Sequence, residues 1–213
     1  IQPKQEQAAT SSASASSQPV VTKTVLPNGL TLLLGADRQL PIAVVVAASR
    51  GGVRVETSQT QGLSNIVAQL LLKGTARRSA TEIATFVESL GGQLDAFSGR
   101  DGFGISLQVL SDDLPSGLEL IHELMAQSTF PEEEVALQRQ LVLKELDARD
   151  DDIFDQGSRL LRQTLFTTHP YRFDPMGTKE SIQRLGRSDC VAFAKERLVP
   201  KNMVLAVFGD FDP

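Results

Sequence analysis

The stretch "GLSNIVAQLLLKGT", residues 62–75, decides how the rest of this sequence is interpreted. Its apolar residues recur at the three- and four-residue spacing of an amphipathic α-helix, which we expect to end at residues 73–75. The predicted apolar stripe, which should pack against the core, consists of Leu63, Ile66, Val67, Leu70 and Leu71. Between these residues the helix carries Asn65, Ala68 and Gln69.

The composition is that of an ordinary folded protein. Of 213 residues, 41% are apolar and 22% are charged, which is enough for a real core in one large or two small domains. The net charge of −5, with no basic cluster, argues against a nucleic-acid partner. No apolar run approaches the length of a membrane span. The single cysteine, Cys190, excludes an internal disulfide and a cysteine-based zinc site.

The first 20 residues are rich in Ser, Ala and Gln and almost free of large apolar side chains. Such a segment cannot bury enough surface to offset its ordering entropy, so we predict a disordered tail at residues 1–20 and a folded domain at residues 21–213. Similar tails often follow a signal peptide or membrane anchor, which favours a bacterial periplasm or cell envelope, with the cytoplasm as the alternative. Because the sequence starts at Ile1 and stops just after a strand-like run, we expect a fragment of a longer protein.

The folded residues alternate between strand and helix patterns. A hairpin is predicted at residues 22–37, around the turn Pro27-Asn28-Gly29, and a central strand at residues 42–49. Residues 93–98 and 102–110 should pair, and residues 202–210 should form a closing strand.

Helices should occupy the intervening segments. We expect Thr81 to cap one helix, Ser111-Asp112-Asp113 to open another, and Pro131 to be the first residue of a long one. Further helices are predicted after Asp155 and near Ser188. This order indicates an α+β fold: a two-layer sandwich in which helices pack on one face of a mostly antiparallel or mixed sheet.

Seven segments in order carry a family resemblance across almost the whole folded length. They resemble the N-terminal domain of the pitrilysin, insulinase and mitochondrial processing peptidase family of inverted zinc peptidases. The segments are "LPNGLTLLL" (26–34), "GGVRVET" (51–57), "LLLKGT" (70–75), "ESLGGQLDAFSGRDG" (88–102), "QRQLVLKELDARDDD" (138–152), "HPYRFDPMGTKESIQRL" (169–185) and "VPKNMVLAVFGDFDP" (199–213).

The resemblance implies where a zinc site would lie. The family signature H-x-x-E-H places two histidine ligands on one helix face, with a glutamate general base beside them. A glutamate on a later helix completes the ligand set. Here the first ligand position is Asn65, the base position Ala68 and the second ligand position Gln69. The later ligand position keeps a carboxylate, Glu145, whereas Gln138 stands where the family commonly has another glutamate.

These departures predict a protein without the family's cofactor. Neutral amides are poor substitutes for imidazole at zinc, and alanine cannot move a proton. We therefore expect no catalytic residue, no bound zinc and no peptide hydrolysis by this chain alone. The two histidines should not rescue the site: His122 should face solvent or cap a helix, and His169 should serve a turn.

The resemblance also implies a role. Members of the family are often built from two chains or halves that close around a chamber, only one of which carries the zinc motif. We therefore expect a pseudoenzyme: a scaffold and substrate-binding subunit that forms a heterodimer with an active zinc peptidase, or that pairs with a second copy of the fold, around a peptide substrate. Asp95, Ala96 and Phe97 are candidates to border the cavity. The alternatives are a structural subunit of a larger assembly without proteolysis, and an active metalloendopeptidase with an unusual metal site.

Overall fold

A computed structural model describes residues 20–213. The predicted tail lies outside the described residues except for Val20. Six strands form one sheet in the order β1-β2-β6-β3-β5-β4, in which β2 and β6 are parallel and every other pair is antiparallel. The strands are β1 (Val21–Val25), β2 (Thr31–Ala36), β3 (Ile42–Arg50), β4 (Gln93–Ser98), β5 (Gly102–Leu110) and β6 (Met203–Gly209).

Seven helices are found within residues 20–213. They are α1 (Leu63–Leu70), α2 (Ala80–Ser89), α3 (Leu114–Gln127), α4 (Glu132–Arg149), α5 (Ile153–Leu165), α6 (Lys179–Arg184) and α7 (Arg187–Arg197). Helices α1 and α3 both pack against β5, and α1 also contacts α4 and α7. Helix α5 instead lies beside the short turn Pro170–Arg172.

The hydrophobic core lies against one face of the sheet. In β3 the buried side chains of Ala43, Val45 and Ala47 alternate with half-buried ones, as expected when helices cover one face of a sheet. The predicted apolar stripe of α1 is fully or almost fully buried against this face. The predicted α+β sandwich, its mixed sheet and its single helical layer are therefore confirmed.

Several predicted helix boundaries are wrong by a few residues, each for a local reason. Ser79, not Thr81, caps α2, because its hydroxyl accepts a hydrogen bond from the amide of Glu82 and the Glu82 carboxylate accepts one from the amide of Ser79. Pro131 precedes α4 rather than opening it. Helix α5 begins before Asp155, because the Asp152 carboxylate caps it.

Two further differences concern α1 and α6. Helix α1 ends at Leu70, before the predicted end at residues 73–75, because Thr75 organises a separate turn there. The short helix α6 was not predicted; it follows the cap formed by Thr178 and Ser181. Among residues 20–213, no helix is both long and apolar enough to cross a membrane.

Candidate functional site

Helix α1 is anchored at its first turn by a buried carboxylate. Glu56 accepts hydrogen bonds from the backbone amides of Gly62, at 3.0 Å, and Ser64, at 2.8 Å. Burial raises the pKa of Glu56, although these two amide bonds oppose the shift. The free amides at a helix N-terminus are a favourable place for a carboxylate. Glu56 therefore fixes where α1 starts.

The turn after α1 is anchored by a second buried carboxylate. The Thr75 hydroxyl accepts hydrogen bonds from the amides of Arg77, at 3.1 Å, and Arg78, at 2.9 Å. The same hydroxyl donates to the carboxylate of Glu123 on α3, which also pairs with the Arg78 guanidinium. Glu123 is 1% exposed, so breaking these bonds would leave a buried charge without partners. Thr75, the last residue of the motif, is therefore held in place by structural contacts.

Between its two anchors, α1 presents a polar edge to an open groove of about 430 Å³. Asn65, Gln69 and Lys73 follow one another at four-residue intervals, so they lie on the same side of the helix and the turn that continues it. Helix α4 forms the facing wall. The groove is lined by Asn65, Gln69, Lys73, Gln138, Leu141, Val142, Glu145 and Met176.

The structure therefore brings together four of the five positions that the resemblance singled out. Asn65, Gln69, Gln138 and Glu145 line the same groove, although the last two lie 69 or more residues along the chain from Gln69. Glu145 is the only carboxylate and Lys73 the only cation among the lining residues. The fifth position, Ala68, is completely buried in the core and is not part of the lining.

The predicted cavity residues on β4 lie elsewhere. Ala96 is half-buried and pairs with Ile105, which places it on the helix-covered face of the sheet. Asp95 and Phe97 are exposed on the opposite face, because neighbouring residues of a strand point in opposite directions. None of these three residues lines the groove beside α1, and their contact with a cavity stays a prediction.

The remaining metal-binding or nucleophilic side chains also lie outside the groove. His122 is exposed on α3, and His169 caps the turn at residues 170–172 by accepting a hydrogen bond from the amide of Tyr171, as the sequence predicted. Cys190 is completely buried, and burial raises the pKa of its thiol to about 12. Within residues 20–213 no three His, Cys, Asp or Glu side chains come close enough to hold one metal ion.

Sequence reasoning missed four groove residues, Lys73, Leu141, Val142 and Met176, and both anchors, Glu56 and Glu123. Lys73 could have been found, because it continues the four-residue spacing of Asn65 and Gln69. Met176 comes from the loop before α6, and no local pattern brings it to the groove. Glu56 lies six residues before Gly62, outside the motif that it anchors.

Comparisons with known proteins identify the family of this chain. Residues 36–179 match the family model described as Insulinase (Peptidase family M16). An uncharacterised zinc protease of Mycobacterium leprae is 32% identical over 195 residues, which cover 90% of this chain and 43% of that protein. Subunit beta of the mitochondrial-processing peptidase of Blastocladiella emersonii is 26% identical, over 91% of this chain and 42% of that protein.

A solved structure shows the same fold. The inactive domain of a peptidase M16 protein from Pseudomonas fluorescens superposes with a TM-score of 0.86 at 24% identity, covering 91% of this chain and 47% of that one. The chain thus spans less than half the length of the curated relatives described above. The family model matches well over half of the chain, and the matched residues include α1, α4 and the groove between them. The chain belongs to the insulinase family of peptidases, peptidase family M16.

Proposed function

We propose that this chain is a non-catalytic member of the insulinase family, which acts as a scaffold and peptide-binding subunit beside an active zinc peptidase. The proposal rests on one observation. The residues at four of the five catalytic positions converge on one groove, and only one of them, Glu145, can carry a charge.

The donor set of the groove does not fit zinc. Catalytic zinc sites use three protein ligands, usually imidazole or carboxylate, and leave one position open for water. Asn65 and Gln69 offer only neutral amide oxygens, which leaves Glu145 as the single strong ligand. The Ala68 side chain can neither donate nor accept a proton, and it is completely buried. These residues could bind a peptide through hydrogen bonds, because amides both donate and accept them.

The proposed partner follows from the missing chemistry. A chain that keeps the fold and lacks the reacting groups can serve proteolysis only beside a subunit that supplies them. One relative, the mitochondrial-processing peptidase subunit beta, is by its name one subunit of a larger enzyme. The other relative described above is by its name a zinc protease.

Metal analysis of the purified chain tests the proposal. After incubation with zinc and removal of the excess, we expect much less than one equivalent to remain, and no cleavage of a peptide library. Adding a homologue with an intact H-x-x-E-H motif from the same genome should yield a complex that cleaves peptides. One tightly bound zinc per chain, with peptide cleavage by the chain alone, would contradict the proposal.

A restoration experiment sharpens the test. The double variant Asn65→His/Gln69→His creates two imidazoles beside Glu145, and we expect it to bind one equivalent of zinc. Adding Glu145→Gln should weaken this binding by at least about tenfold, because one of three ligands loses its charge. Asp112→Asn, a substitution at an exposed residue that does not line the groove, is the matched control and should leave zinc binding unchanged. If the double variant folds and binds no zinc, the groove does not have the geometry assigned to it.

A further inference from the structure

The groove beside α1 contains three side-chain carboxamides that have no partner in the described part of the chain. Asn65 and Gln69 are half-buried on α1, and Gln138, on the facing wall, is only 9% exposed. None of these three side chains makes a hydrogen bond there, whereas the neighbouring Arg139 donates to the carbonyl oxygen of Ile182 at 3.1 Å. A buried amide without a partner costs free energy, so these side chains are placed to bind a molecule that enters the groove.

The chemistry of the three carboxamides suits the main chain of a peptide. A carboxamide offers one carbonyl acceptor and two N–H donors, so it can bond to both the C=O and the N–H group of an extended segment. Three carboxamides on two walls would contact a ligand in this way whatever its sequence. The apolar part of the lining consists of Leu141, Val142 and Met176, which suit an apolar side chain of the ligand. The groove volume of about 430 Å³ is within the usual range of small-ligand sites, roughly 300–1,000 Å³.

The two charged residues of the groove lie towards its opposite ends. Lys73 also lines the neighbouring cavity, together with Glu133 and Glu134 in the first turn of α4. Glu145 lies eleven residues beyond Glu134 on the same helix, which is about 16 Å at the rise of an α-helix. Neither Lys73 nor Glu145 forms a salt bridge within residues 20–213. Both charges are therefore available to a ligand.

The length of the groove matches a short peptide. The eight residues from Asn65 to Lys73 correspond to about 12 Å at the rise of an α-helix. An extended peptide covers about 3.3–3.6 Å per residue, so three or four residues fill this length. The ammonium at the start of such a peptide can then pair with Glu145, and the carboxylate at its end with Lys73. The reverse orientation would set each end beside a residue of the same charge.

We propose that this groove binds extended tripeptides and tetrapeptides with free ends, with the N-terminus at Glu145 and the C-terminus at Lys73. Asn65, Gln69 and Gln138 bond to their main chain. The inference rests on the proposed function, because it names the peptides that the peptide-binding groove accepts. Hydrolysis of a peptide bond creates one free carboxylate and one free ammonium, so ligands of this class are the products that an active peptidase partner would release.

Calorimetric titration of the purified 213-residue chain tests the proposal. The probe is the tripeptide alanyl-leucyl-alanine, compared with its N-acetylated, C-amidated and doubly blocked forms. We expect the free tripeptide to bind most tightly. Each blocked end should raise the dissociation constant by at least about fivefold, because a hydrogen bond to a charged group is lost.

Variants of the groove assign each end of the peptide. Lys73→Met should remove the preference for a free carboxylate and keep the preference for a free ammonium, whereas Glu145→Gln should do the reverse. The matched controls, Lys144→Met and Glu119→Gln, change exposed charges that do not line the groove and should keep both preferences. Gln138→Leu should weaken the binding of all four peptides by at least about fivefold. Thermal unfolding checks that each variant is folded.

Two results would overturn the inference and leave the proposed function in place. The first is equal binding of free and doubly blocked tripeptides that is weakened in Gln138→Leu. The second is equally tight binding of a doubly blocked peptide that carries a lysine and a glutamate three residues apart, because the groove would then accept an internal segment of a longer chain. If none of these peptides binds, both the inference and the peptide-binding role are wrong.

Discussion

Helices α1 and α5 are both amphipathic, yet they bury opposite sides. The apolar side chains of α1 are at most 5% exposed, whereas those of α5 are at least 59% exposed. The side-chain amides of Asn65 and Gln69 on α1 face the groove. The charged side chains of α5 instead face inward, towards Arg149 and Asp174. The same periodicity thus produces a core helix in one region and an exposed apolar face in the other.

The anchors of the two helices explain the difference. Helix α1 is held by a carboxylate at each end, Glu56 and Glu123, and its middle can rest on the sheet. Helix α5 is held along its charged side by ion pairs, and its apolar residues on the other side stay at least 59% exposed. Amphipathic spacing therefore predicts that a face will be buried, and does not identify the surface that buries it.

Truncating one leucine in each helix should give the largest contrast. Leu70 on α1 is completely buried, whereas Leu160 on α5 is 66% exposed. We expect Leu70→Ala to lower the free energy of unfolding by about 2–5 kcal/mol, because it leaves a cavity in the core. Leu160→Ala should change it by less than about 0.5 kcal/mol. Urea unfolding measures both values, and equal losses would mean that α5 is buried within its own chain.

Replacing the glycine at the start of α1 should have the next largest effect. Gly62 has φ 85°, and a Cβ there would lie 2.6 Å from the carbonyl oxygen of Met176. We expect Gly62→Ala to cost at least about 1–2 kcal/mol, from the left-handed backbone alone. The midpoint of thermal unfolding should fall accordingly. An unchanged midpoint would show that the turn before α1 can relax away from Met176.

The same substitution in α5 should act in the opposite direction. Gly157 is helical and has free space around its missing Cβ. We expect Gly157→Ala to raise the free energy of unfolding by about 0.4–1 kcal/mol, through helix propensity and a smaller unfolded-state entropy. Urea unfolding of the wild type and of Gly157→Ala measures the difference. Destabilisation would contradict the exposed position of residue 157.

Local patterns were sufficient to predict most of the fold. The hairpin at residues 22–37, the pairing of β4 with β5 and the helical layer follow from spacing and turn residues that lie close together in the chain. The parallel pairing of β2 with β6 does not, because it joins segments about 170 residues apart through contacts that leave no local pattern. The cap at Ser79 was missed because Thr81 offers the same chemistry two residues later.

The groove was predictable only in part. The helical spacing placed Asn65 and Gln69 on one side of α1, but Gln138 and Glu145 were assigned to the same site only through the family resemblance. The burial of Ala68 was not predicted from the sequence, because alanine fits either side of an amphipathic helix. The orientation of α5 depends on Asp174, which reaches Arg149 across 25 residues of chain.

Acid should change the stability of the protein in opposite directions through Asp155 on α5 and Glu56 beside α1, with effects smaller than those of the substitutions above. The hydrogen bond from Arg149 lowers the pKa of Asp155 below its usual value of 3.8, whereas burial raises the pKa of Glu56 above 4.5. The folded state therefore releases the Asp155 proton more readily than the unfolded state does. The stability that Asp155 contributes is present above pH 3.8 and is lost as the pH falls through its lower folded pKa.

For Glu56 the pH dependence of stability has the opposite sign. Between pH 4.5 and its higher folded pKa, the folded state keeps a proton that the unfolded state has released, so stability falls as the pH rises through this window.

Partly exposed ion pairs are worth only about 0–1 kcal/mol, so Asp155→Asn should cost little free energy of unfolding at pH 7, and its stability should converge with that of the wild type at the acid end. Glu56→Gln should instead flatten the decline above pH 4.5. Urea unfolding from pH 3 to pH 7 separates the two slopes. Parallel curves for Asp155→Asn and the wild type would mean that Arg149 does not hold α5 in place through this carboxylate.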